Sequence, residues 1–212
     1  MRIILVDLHT GLAEAAAQVG WPGEVLARTN LADVQLAYTP GSAVVSPANS
    51  FGFMDGGVDL VISRIMYPGV QTVIRDMIAD GPHRTHLRRP YLPIGDALSV
   101  PVPGKPGVLM IAAPTMWLPQ DVQTTHNAYH ATYAALAAAS AAGTETLIFP
   151  GMCTGYGKMS PAHAVSQMAD AIHDWRAGRS ARWDAPTIVA EQPNVYMNIE
   201  FSSLADFRES KH

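Results

Sequence analysis

Cysteine, charge and long apolar runs are all scarce in this chain of 212 residues. The single cysteine, Cys153, excludes an internal disulfide framework and fits a reducing compartment. No run approaches the roughly 18 uncharged apolar residues of a membrane-spanning helix. The acid at Asp7 comes too early for the apolar region of a signal peptide. We therefore expect a cytoplasmic protein with no membrane partner.

Charged residues make up only 15% of the chain, and the formal net charge is −4. This balance gives no electrostatic reason to expect a nucleic-acid partner. The length suits one domain, which would bury roughly 70% of the surface of its unfolded chain. We expect a core over about residues 1–177 and a C-terminal extension over about 178–212; the oligomeric state is left open.

Short apolar runs alternate with helical patterns along the chain. Buried strands are predicted at 3–6, 43–46, 108–113 and 146–149, and weaker strands at 24–28, 97–103 and 195–201. Helices are predicted after Thr10 as the N-cap, along Val58, Ile62 and Ile65, along 70–77, over 124–142 and over 160–176. This alternation predicts an α/β fold with helices on both faces of a sheet.

Two of the buried strands run into glycine-rich loops. The first loop follows Val45 and reads SPANSFGFMDGGVD; the second follows Phe149 and reads PGMCTGYG. Glycine lets backbone N–H groups approach an anion closely, because it has no Cβ. Ligands in such sheets bind beyond the carboxyl ends of the strands. If the two strands are parallel, both loops face one cleft, which predicts a single site for a phosphorylated small molecule.

The second loop is also compatible with a different chemistry. Gly151-x-Cys153-x-Gly155 after a strand is similar to a nucleophile elbow with a cysteine nucleophile. That motif requires the next helix to begin at once, whereas Ser160 and Pro161 begin it several residues later. The alternative is that Cys153 is a small loop or core residue rather than a nucleophile.

Two further motifs are weak. As a P-loop the second loop fails, because Met159 stands where Ser or Thr should hold magnesium. His126 and His130 have a metal-like spacing, but no third ligand is evident. We expect no metal and no cofactor. Residues 83–90 hold three arginines and two histidines, which predicts a solvated connecting loop or, alternatively, a basic lip over an anionic ligand.

Together the two loops resemble those of the macrodomain family, which binds and hydrolyses ADP-ribose conjugates. The resemblance is carried by Pro47-Ala48-Asn49, by Asp55-Gly56-Gly57-Val58-Asp59 and by Gly151 through Gly157. In MacroD-type hydrolases the same ten residues separate the asparagine from the aspartate. The sequence of the first loop is similar to that found in a bacterial and phage branch of the family. The fold that this implies is a three-layer α/β/α sandwich around a mixed sheet of about six strands.

The resemblance also implies roles for individual residues, with ADP-ribose or an ADP-ribosylated substrate as the partner. Asp7 would bind the adenine amino group, Gly56–Val58 would donate N–H groups to the diphosphate, and Tyr156 would pack on the distal ribose. Asn49 and Asp59 would be the catalytic residues at that ribose. The complete ligand-binding set implied is Asp7, Ala48, Asn49, Met54, Asp55, Gly56, Gly57, Val58, Gly151, Cys153, Thr154, Gly155, Tyr156 and Gly157.

The chain departs from the hydrolases at two positions of the first loop. Ser46 stands where they often have asparagine, and Asp55 replaces a glycine. Three hypotheses therefore stay open: a hydrolase of ADP-ribosyl linkages, a non-catalytic ADP-ribose binder and a cysteine-elbow hydrolase.

Overall fold

The computed structural model describes residues 1–182, and its centre is a six-stranded mixed sheet. The strands are β1 (Arg2–Val6), β2 (Glu24–Leu26), β3 (Ser42–Ser46), β4 (Leu98–Pro101), β5 (Leu109–Ala112) and β6 (Thr146–Phe149). Their order across the sheet is β2-β1-β6-β3-β5-β4. All neighbours pair in parallel except β4, which is antiparallel to β5. The carboxyl ends of β1, β6, β3 and β5 therefore lie side by side along one edge.

Helices cover both faces of the sheet. They are α1 (Gly11–Val19), α2 (Gly57–Leu60), α3 (Val70–Asp80), α4 (Asn127–Ala141) and α5 (Pro161–Arg176), with short 3₁₀ turns at Leu31–Asp33 and Gln35–Tyr38. Alternate strand residues point to opposite faces. Ile3 and Leu5 accordingly pack with α1, α4 and α5, whereas Ile4 and Val6 pack with the 3₁₀ turns and α3. The predicted three-layer α/β/α fold with a mixed sheet is confirmed.

The helix predicted along Val58, Ile62 and Ile65 is present, but it is not a regular α-helix throughout. From Val61 to Met66 the helix that begins as α2 continues with π-helical hydrogen bonding. The wider turn changes which residues face the sheet. Ile62 is fully buried, whereas Ile65 is 65% exposed and Met66 is buried in its place.

The predicted N-cap position of α1 is confirmed, but capping by the side chain of Thr10 is not. Thr10 occupies the N-cap position, but its side chain makes no capping hydrogen bond. The carboxylate of Asp7 accepts hydrogen bonds from the N–H groups of Leu12 and Ala13 instead. The acid at the end of β1 thus satisfies donors at the start of α1.

Several predicted elements are shorter in the structure than in the prediction. Helix α4 begins at Asn127 rather than at 124, because the hydroxyl of Thr125 donates to the carbonyl of Val122 and closes a turn there. The weak strands at 24–28 and 97–103 shrink to β2 and β4, the two edges of the sheet. The predicted strand at 195–201 lies outside the described residues. None of the helices within residues 1–182 has the length and apolarity needed to cross a membrane.

Candidate functional site

A cavity of about 910 Å³ lies at the carboxyl ends of four adjacent strands. Along this edge, Asp7 follows β1, the second glycine loop follows β6, the first glycine loop follows β3 and Thr115 follows β5. Neighbouring strands are about 4.8 Å apart. Three such spacings give a site about 14 Å long, which is longer than a single phosphate requires. The volume is within the usual range for small-molecule pockets.

Most of the residues that the sequence predicted as a site line this cavity. They are Asp7, Ala48, Asn49, Asp55, Gly56, Gly57, Val58, Asp59, Gly151, Cys153, Thr154, Gly155 and Tyr156. Met54 and Gly157 do not line it. The side chain of Met54 is buried in the core, and the carbonyl of Gly157 accepts a hydrogen bond from the N–H of Val122. These two residues belong to the glycine loops but not to the surface of the cavity.

Sequence reasoning missed other residues of the lining. His9 follows β1, Thr29 and Asn30 follow β2, and Thr115 and Met116 follow β5. Each lies just beyond the carboxyl end of a parallel strand. They were missed because none of them belongs to a glycine motif. The rule that places ligands beyond the carboxyl ends of strands could have found them.

The carboxylate of Asp7 is largely occupied by hydrogen bonds within the protein. One oxygen accepts a hydrogen bond of 2.9 Å from the N–H of His9, and the other accepts from Leu12 and Ala13 at 2.8 and 3.2 Å. A carboxylate has about four lone-pair sites. Three accepted bonds leave capacity for one more donor at the cavity.

Asn49 uses its amide to hold the first loop closed. Its side-chain oxygen accepts from the N–H of Phe51 at 3.0 Å, and its side-chain nitrogen donates to the carbonyl of Phe53 at 3.1 Å. The residue lines the cavity but is only 7% exposed. Asn49 therefore shapes the wall of the site as well as contributing to its surface.

Asp59 is a desolvated carboxylate at the cavity. It is partly buried, and the hydroxyl of Ser46 donates to its Oδ1 at 2.6 Å. Burial raises the pKa of Asp59 to about 7; the hydrogen bond from Ser46 opposes this shift, and the nearby charge of Asp55 adds to it. A carboxyl group that changes protonation near neutral pH is suited to acid–base chemistry.

The glycines of the two loops fall into two groups. A Cβ built at Gly56, Gly57 or Gly155 would meet no protein atom within 4 Å, so these backbones face open space. Gly57 begins α2 with φ +53°, a left-handed conformation that favours glycine. The first N–H groups of a helix have no acceptor within it, and those of Gly57 and Val58 are therefore available to an anion. Gly151, in contrast, is required by packing, because a Cβ there would lie 2.5 Å from the hydroxyl of Thr154.

Cys153 does not have the environment of a nucleophile. Its side chain is 3% exposed, and burial raises the pKa of the thiol to about 12. A nucleophilic cysteine needs the opposite shift, because the thiolate is the reactive form. This counts against the cysteine-elbow hypothesis. Within residues 1–182, no group of three or more His, Cys, Asp and Glu side chains is placed to hold a metal ion.

The fold is an α/β/α sandwich, and its elongated cavity lies at the strand ends between two glycine loops. This arrangement is typical of proteins that bind phosphorylated ligands. The sequence profile of the Macro domain family matches residues 45–168 of the chain. An uncharacterized protein of Aeropyrum pernix is 33% identical over 159 residues, which is 74% of this chain and 76% of that protein. The chain belongs to the macrodomain family, an ADP-ribose-binding family.

Solved structures of macrodomains share the fold. An Oceanobacillus iheyensis macrodomain with MES bound has a TM-score of 0.54 at 15% identity, over 76% of this chain and 87% of that chain. A glycine-to-valine variant of the same protein, solved with ADPR, has the same TM-score at 15% identity, over 76% of this chain and 88% of that chain. The macrodomain of Mycobacterium tuberculosis DarG has a TM-score of 0.52 at 17% identity, over 66% of this chain and 87% of that chain.

Proposed function

We propose that the cavity binds ADP-ribose and that the protein hydrolyses the bond that joins its distal ribose to a carrier. The observation that carries the proposal is the meeting of both glycine loops, Asp7 and Asp59 in one elongated cavity. A ligand that fills it would need a polar group at one end, an anion in the middle and a reactive centre beyond the anion. A base, a diphosphate and a sugar satisfy that order.

The order of the strands supports one direction for the ligand. The adenine would lie near Asp7 at β1, and the diphosphate between the loops that follow β6 and β3. The N–H groups of Gly57 and Val58 would bind the diphosphate oxygens. The distal ribose would then lie beside Asn49 and Asp59, with Tyr156 over it.

The spacing of three loop residues supports the same alignment. Solved structures of the Oceanobacillus iheyensis macrodomain include variants of an asparagine, a glycine and an aspartate. Asn49, Gly56 and Asp59 have the same mutual spacing in this chain. The glycine variant was solved with ADPR. The corresponding residues here are therefore the first candidates for mutation.

Hydrolysis would proceed at the anomeric carbon of the distal ribose. The bond from that carbon to the carrier breaks and its electron pair leaves with the carrier, oxocarbenium character develops at the carbon, and water adds to it. The carrier gains the proton that the water loses. Asp59, as a carboxylate, would accept that proton or stabilise the positive charge, and Asn49 would keep the loop in position. A positioned acid or base contributes typically about 10²–10⁴-fold in rate.

The test is to incubate the protein with mono-ADP-ribosylated substrates of different linkages and to measure released ADP-ribose. We expect release from at least one linkage, and a loss of about 10²–10⁴-fold in Asp59→Ala with ADP-ribose still bound. Turnover by Asp59→Ala at the wild-type rate would refute its role. Ile65→Ala, an exposed substitution on the same helix away from the cavity lining, is the control.

A non-catalytic ADP-ribose binder is the second candidate, and the geometry of Asn49 favours it. Its side-chain amide bonds to the backbone of its own loop rather than pointing freely at the cavity. Binding of ADP-ribose without release from any linkage would select this function. A cytoplasmic location remains a prediction for either.

A further inference from the structure

The first glycine loop contains a residue pair whose side chain and backbone can react with each other. Asp-Gly occurs twice in the chain, as Asp55–Gly56 in this loop and as Asp80–Gly81 at the end of α3. The backbone nitrogen after an aspartate can attack its side chain and close a five-membered ring. Glycine favours this attack, because it has no Cβ to block the approach and bends most freely. The surroundings of the two pairs therefore decide which of them reacts.

The surroundings of Asp55 and Gly56 leave the first pair open to this reaction. Both residues are exposed, and Asp55 belongs to no helix or strand. A Cβ built on Gly56 would meet no atom within 4 Å, so there is room for a ring beside this backbone. No carbonyl or side chain among residues 1–182 accepts a hydrogen bond from the N–H of Gly56. This nitrogen is therefore accessible to the neighbouring side chain.

The surroundings of Asp80 and Gly81 restrain the second pair. Asp80 is also exposed, but it is the last residue of α3. The N–H of Gly81 donates to the carbonyls of Met77 and Ile78 at 3.0 and 3.2 Å. A Cβ on Gly81 would lie 3.3 Å from the carbonyl oxygen of Ile78, so the backbone is closely packed there. The nitrogen must leave both carbonyls before it can reach the side chain of Asp80.

We propose that Asp55 is a site of spontaneous isomerisation to isoaspartate. The nitrogen of Gly56 attacks Cγ of the Asp55 carboxylic acid. The N–Cγ bond forms, one Cγ–O bond breaks, and the oxygen leaves as water with the amide proton and the carboxyl proton. Water then adds to the main-chain carbonyl of this succinimide ring and breaks the bond from that carbon to the nitrogen. The chain now runs through Cβ and Cγ, the α-carboxylate is released, and no other reagent is consumed.

Given the proposed function, this modification falls where the ligand binds. It adds one carbon to the main chain immediately before Gly56 and Gly57 and moves the carboxylate beside them. The N–H groups of Gly56–Val58 would then no longer align on a diphosphate. A bound diphosphate, in turn, engages the N–H that the reaction needs and so slows closure of the ring. The site is preserved while it is occupied and is slowly lost while it is empty.

The test is to incubate the full chain without ligand at neutral pH for several weeks, to digest it and to measure isoaspartate at both positions by fragmentation mass spectrometry. We expect isoaspartate to accumulate about tenfold faster at Asp55 than at Asp80, because the hydrogen bonds of Gly81 must first break. Asp55→Glu is the matched variant; it keeps the charge but requires a six-membered ring, and it should show no isomerisation at this position. Accumulation at Asp80 that equals that at Asp55, or none at Asp55, would overturn the inference.

Two further measurements connect the modification to the ligand. Saturating ADP-ribose should slow accumulation at Asp55 and leave that at Asp80 unchanged. The number of ADP-ribose sites in the aged wild type should fall by the isomerised fraction, whereas protein aged with ADP-ribose and then freed of it should keep its sites. Unchanged binding by isomerised chains would refute the effect on the site. Failure of the fresh wild type to bind ADP-ribose would refute the proposed function, and the digest would still decide the isomerisation.

Discussion

The hydroxyl of Ser46, the last residue of β3, donates a hydrogen bond of 2.6 Å to Asp59 in the first turn of α2. The bond joins the two ends of the first glycine loop across thirteen positions of sequence. It also stabilises the charged form of Asp59, whose pKa burial raises to about 7. The departure from the hydrolase pattern at Ser46 thus acts directly on the residue proposed to be catalytic.

This contact predicts how pH will control hydrolysis. If the carboxylate form of Asp59 is active, kcat/KM should rise with pH through a midpoint near 7. Ser46→Ala removes the donor to the charged form and should move the midpoint up, whereas Asp55→Asn removes a like charge and should move it down. Initial rates from about pH 5 to 9 check this. Midpoints that do not move in opposite directions would exclude Asp59 as the titrating group.

The desolvated carboxylate should also cost stability. The pKa of Asp59 is higher in the folded chain than its ordinary value. Between about pH 4 and 7, the folded state therefore keeps a proton that the unfolded state has already lost. Stability contributed by this group falls as pH rises through that window. We expect Asp59→Asn to raise the free energy of unfolding by about 1–3 kcal/mol at about pH 8 and by much less at about pH 4. Urea titration at both values measures it, and an equal gain at both would contradict the linkage.

Asp7 should contribute to stability independently of any ligand. Asp7→Ala removes the acceptor for three N–H groups around the start of α1 and should lower the free energy of unfolding by about 1–2 kcal/mol or more. Thr10→Ala is the matched control, because the side chain of Thr10 makes no capping bond. Thermal melts of the two variants without ligand compare them. A larger loss in Thr10→Ala would refute the assignment of the cap.

Cys153 should be unreactive in the folded protein. Its thiol is buried and its pKa is raised to about 12, so the thiolate is rare at about pH 8. Iodoacetamide should leave the native chain unmodified and should alkylate it rapidly in guanidinium chloride. Mass spectrometry after timed exposure measures both. Rapid alkylation of the native chain, with loss of activity, would restore the cysteine-elbow hypothesis.

The strands and the two glycine loops were predictable because their signals are local. Apolar runs such as 43–46 and 146–149 have no alternative to burial, and glycines that follow a strand indicate a ligand loop. The capping by Asp7, the internal bonds of Asn49 and the contact between Ser46 and Asp59 were not predictable, because they depend on how the loops close. The π-helical turn that exposes Ile65 carries no sequence signal that we recognise.

Gly57 provides the most direct test of the central claim, that the cavity between the loops binds ADP-ribose. Its backbone is left-handed and its missing Cβ faces open space, so alanine and glutamate strain the chain in the same way. Only glutamate adds bulk and negative charge where the diphosphate would lie. The comparison of Gly57→Glu with Gly57→Ala therefore isolates the effect on the ligand.

The measurement is a calorimetric titration of ADP-ribose into the wild type, Gly57→Ala and Gly57→Glu, with thermal melts to show that all three are folded. The wild type should bind one equivalent per chain, Gly57→Ala should retain binding, and Gly57→Glu should give no binding heat. Equal affinity in Gly57→Ala and Gly57→Glu would remove the first loop from the site. No binding by the folded wild type would contradict the account as a whole.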